Sequence, residues 1–141
     1  MDSIYIVSIE EKEDFIMEYT VDYLPDKSIV EIKIKGRLSF QAAEKYSKEA
    51  VKLAHKNDCS KFLFNYSGTL SQKSITNFHT NGDDLQQFGF KNTDNIAIVF
   101  GKGIRKSNIL EQENKNSNWS KIEYFEVNKL QDAFNWLSEI K

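Results

Sequence analysis

The last third of the chain constrains its fold most. An apolar run, Ile96-Ala97-Ile98-Val99-Phe100, is followed by a polar stretch and then by a second short strand, Ile122-Glu123-Tyr124-Phe125. A closing helix comes next, with Leu130, Ala133, Phe134, Leu137 and Ile140 recurring on one stripe. A strand, a crossover, a strand and a packing helix in that order predict an α/β architecture with a parallel core.

Upstream, two alternating runs surround a turn. Tyr19, Val21 and Tyr23 alternate with Glu18, Thr20 and Asp22, and Val30, Ile32 and Ile34 alternate with Glu31, Lys33 and Lys35. Pro25-Asp26-Lys27-Ser28 between them supplies turn chemistry, so the pair reads as a hairpin with one wet face, closed by Gly36. Ser39 is placed to cap a first helix ending near His55 or Lys56, with Ala43, Tyr46, Ala50, Leu53 and Ala54 at helical spacing. Phe62-Leu63-Phe64 is apolar without alternation, which predicts a strand covered on both faces. Ser74 can start a second helix carrying Ile75, Phe78, Gly82 and Leu85, with Gly89 as its stop, and Asn128 starts the closing helix. Ile4 to Val7 can add an edge strand, and the charged residues through Asp14 read as a connector.

These elements make one domain over residues 1–141, a size that can bury a single core. A net charge of −2 argues against nucleic acid as the partner, because phosphate binding needs a concentrated basic surface. A lone cysteine, Cys59, cannot form an internal disulfide, and no secretory signal or bilayer-length apolar window is visible. The expectation is a cytoplasmic protein with no stable membrane insertion.

The order of elements resembles the SpoIIAA-like family, bacterial relatives of the STAS domain (sulphate transporter and anti-sigma-factor antagonist). The resemblance is carried by Ile29-Val30-Glu31-Ile32-Lys33-Ile34-Lys35-Gly36, by Lys61-Phe62-Leu63-Phe64-Asn65-Tyr66, by Asn95-Ile96-Ala97-Ile98-Val99 and by the ending Tyr124-Phe125 with Ala133-Phe134-Asn135-Trp136-Leu137. It covers roughly residues 17–140 by element order. It implies a mixed sheet with an N-terminal antiparallel hairpin, parallel core strands and packing helices. It also implies docking onto a partner kinase or switch protein, controlled by phosphorylation of a serine in an Asp-Ser-Ser-Gly-like segment before the second helix. The corresponding stretch here is Leu70-Ser71-Gln72-Lys73-Ser74, which keeps hydroxyls at Ser71 and Ser74 and lacks the aspartate and glycine. Lipid-binding relatives of the CRAL-TRIO type are linked to the same branch.

Candidate sites follow from side-chain chemistry. Ser71 and Ser74 precede a helix, where exposed amides favour phosphate, although capping alone accounts for Ser74. Lys102, Arg105 and Lys106 form a small basic cluster after the apolar strand, where α/β folds bind ligands, and Gly101 and Gly103 serve the turn. No phosphate-loop spacing accompanies them. Phe78 and Leu85 fit a core stripe, whereas Phe88 and Phe90 straddle Gly89 and are expected to be exposed as a contact patch. His55, Cys59 and His79 make no metal-ligand spacing, and Cys59 is expected to pack as a small hydrophobe. Asp83, Asp84, Glu111 and Glu113 are expected to face solvent rather than to form a catalytic pair.

No constellation demands a reaction, and no cofactor or metal is implied. Two readings stand. One is a non-enzymatic regulatory domain that binds a protein partner or itself, as a homodimer, through the loop before the second helix. The other is a carrier that holds a lipid or another small apolar ligand between the second helix and the crossover.

Overall fold

The computed structural model describes residues 2–5, 17–36, 40–69, 86–101 and 121–139. Six strands lie side by side in chain order: β1 (Asp2–Tyr5), β2 (Met17–Leu24), β3 (Ile29–Gly36), β4 (Lys61–Thr69), β5 (Asn95–Val99) and β6 (Ile122–Phe125). The first two pairings are antiparallel and the remaining three are parallel. Helix α1 (Phe40–Lys56) joins β3 to β4. A 3-10 turn at Val127–Lys129 leads into α2 (Leu130–Glu139), so the closing helix begins just beyond the expected Asn128. The α/β class and the mixed sheet expected from the sequence are present.

The hairpin forms because residues 25–28 cannot continue a strand. The amides of Lys27 and Ser28 both donate to the Leu24 carbonyl, at 3.1 and 2.8 Å, and Ser28 adopts a left-handed φ of 56°. Tyr19, Val21, Val30, Ile32 and Ile34 then share one buried face. The opposite face is wet at Glu18, Lys33 and Lys35 but not at Glu31, which is only 6 % exposed. Glu31 sits opposite Asp22 in the β2–β3 register and beside Leu63 of β4, so its neighbours exclude the water that the alternation predicts.

Helix α1 packs on β2 and β3 through Ala42, Ala43, Tyr46, Ala50 and Ala54. Four alanines let the helix backbone approach the sheet, and Tyr46 fills the space they leave. Helix α2 covers β4, β5 and β6 on the other face, burying Ala133 and Leu137 against Leu63, Ala97 and Val99. Both central strands are therefore buried on two sides, which is why their sequences run apolar without alternation. Lys27, in the hairpin turn, reaches over the Phe134 ring of α2 at 5.5 Å.

One expectation is overturned. Phe88 and Phe90 are buried, at 2 and 3 % exposure, and belong to the core between α1 and the sheet. Residues 86–88 are helical, and Gly89 then takes φ 110°, with its amide on the Gln86 carbonyl at 3.0 Å. That left-handed reversal turns both flanking rings inward. Phe90 meets Phe62 edge to face, with centroids 4.9 Å apart. No described helix is long and apolar enough to cross a membrane.

Candidate functional site

Two regions of the sheet rim carry polar chemistry. The first is the carboxyl edge of the parallel strands. Tyr46 of α1 and Tyr66 of β4 share a buried hydroxyl–hydroxyl hydrogen bond of 2.9 Å. Tyr19 of β2 stands edge-on to Tyr46 at 5.5 Å, and Phe100 stacks on Tyr124 of β6 at 5.6 Å. Burial pushes the phenols of Tyr46 and Tyr66 well above the ordinary tyrosine range, so both stay neutral and act as packing groups with polar ends. Thr69 donates its hydroxyl to the Tyr66 carbonyl at 2.7 Å. Gly101 backs directly onto this point: a Cβ there would lie 3.0 Å from the Tyr66 carbonyl oxygen and 3.1 Å from Thr69 Oγ1. The ends of β4 and β5 thus meet where only glycine fits, a close approach that gives Gly101 its purpose beyond a simple turn.

In the sequence Ser71 and Ser74 come after β4, and Lys102, Arg105 and Lys106 come after β5; all five lie outside the described residues. The same holds for Ser39, His79, Asp83, Asp84, Glu111, Glu113 and the stripe residues Phe78, Leu85 and Ile140.

The second region is a cleft of about 300 Å³ at the opposite rim, where α1 ends and β4 and β5 begin. Val51, Ala54 and Phe62 form its apolar floor, and His55, Asp58, Ser60, Lys91, Thr93 and Asp94 line the rest together with Cys59 and Gly89. The end of α1 shapes one wall. The Cys59 amide donates to the Ala54 carbonyl at 2.9 Å and the Asp58 amide to the His55 carbonyl at 3.3 Å. This bonding pattern is a Schellman motif, with Asp58 in its left-handed position at φ 53°. The facing wall is the turn at residues 91–94, closed by the Lys91 amide on Asp94 Oδ2 and the Asp94 amide on the Lys91 carbonyl, both at 2.9 Å. Asp94 is 8 % exposed, and burial pushes its carboxyl up despite the Lys91 amide and charge.

Cys59 lies at the edge of this cleft and packs on the core, as its expected small-hydrophobe role requires. Its thiol points toward the carbonyls of Ser28 at 3.2 Å and Lys61 at 3.4 Å. Burial raises its pKa, which keeps sulfur in the thiol form rather than the nucleophilic thiolate. Among the described residues no three His, Cys, Asp or Glu side chains converge as a metal site.

Sequence reasoning missed Asp58 and Asp94. One signal was available for Asp58: an aspartate at the negative end of a helix, where glycine or a cation is favoured. Asp94 gave none, because its burial depends on the distant meeting of α1 with the 91–94 turn. Comparison with known proteins gives no match: no family model, curated protein or solved structure is similar to this chain.

Proposed function

We propose that this chain is a non-enzymatic regulatory domain of the SpoIIAA-like, STAS-related type, acting in the cytoplasm by docking a protein partner or a second copy of itself. The docking surface is the carboxyl edge of the parallel strands. The observation that supports the reading most is the convergence of the β4 and β5 ends at Tyr66, Thr69 and Gly101. Ser71 follows Thr69 by two residues, and Lys102 follows Gly101 by one. Covalent connectivity therefore starts the hydroxyl-bearing and the cation-bearing segments from the same place. Phosphate on Ser71 or Ser74 adds about −1.5 to −2 charge, enough to change which partner surface the segment attracts. The rigid tyrosine layer beneath gives that edge a fixed floor. Native mass spectrometry of the protein from its own cells tests the proposal. The expected spectrum contains a stoichiometric second polypeptide or a homodimer, and Ser71→Glu with Ser74→Glu changes that stoichiometry. A lone monomer in both samples contradicts it.

A second reading, a carrier of a small ligand, has its expected pocket between the second helix and the crossover outside the described residues, and is supported instead by the cleft at the end of α1. This cleft lies at the rim opposite the docking edge and holds about 300 Å³, the lower end of small-molecule sites.

A further inference from the structure

We draw no further inference here: the strongest candidate, the surface patch of exposed lysines Lys45, Lys48, Lys52 and Lys56 along the outer face of α1, is interleaved with Glu44 and Glu49, and nothing in the structure shows what covers it.

Discussion

Glu31 is a carboxyl placed where an apolar or solvated residue would cost less. Burial raises its pKa, Lys33 and Lys27 pull it back, and Asp22 opposite it on β2 adds to the rise. A raised carboxyl favours the protonated fold. The stability this contributes is complete below the ordinary glutamate range and is lost as pH rises through the higher value in the folded chain. Glu31→Gln is therefore expected to raise the urea midpoint at pH 7, with relief of the facing charges contributing about 0.2–1 kcal/mol, and to leave stability in acid nearly unchanged. Urea melts of both proteins across pH 3 to 8 check this, with a narrowing gap toward acid as the signature (order-of-magnitude range set by carboxyl titration). Asp58→Gly removes left-handed strain and a misplaced charge and is expected to stabilise by about 1–2 kcal/mol. Thermal melting of the two proteins checks this, with the midpoint of the variant expected to rise. Glu31 did not stand out in the sequence: alternation marks it as wet, and only the strand pairing reveals the neighbours that dry it.

At the scale of elements, the strands and their order were legible because their signals are local. Period-two alternation with a proline turn marks β2 and β3, and unbroken apolar runs mark β4 and β5. The contact between α1 and β4 was not legible, since it depends on where the helix crosses the sheet. Tyr46 and Tyr66 join these elements through their 2.9 Å hydroxyl pair. Tyr46→Phe takes away that partner of the Tyr66 hydroxyl and is expected to cost about 1–3 kcal/mol. Adding Tyr66→Phe is expected to recover part of the loss, a non-additivity that a double-mutant cycle in urea measures. The misplacement of Phe88 and Phe90 has a similar origin. Gly89 was legible as a helix stop, but the direction of the reversal is set by its φ of 110°. A Cβ at Gly89 would also come within 3.3 Å of Val51 Cγ1.

For the whole molecule, the sheet separates two chemistries. One rim carries the tyrosine layer and the converging ends of β4 and β5; the other carries the cleft against α1. The sequence pointed to the first rim, because glycines, serines and basic residues cluster along the chain there. It was silent on the second, whose walls come from two separate segments, residues 51–62 and 89–94. Gly101→Ala probes the first rim directly. Its methyl would sit 3.0 Å from the Tyr66 carbonyl, and the strain is expected to cost about 1–3 kcal/mol in a urea melt.

The measurement that tests the docking account most directly is hydrogen exchange, comparing the isolated chain with the assembly recovered from its cells. The account predicts new protection concentrated in residues 66–75 and 100–107. Protection confined to residues 55–60 and 89–94, or to α2, would contradict it.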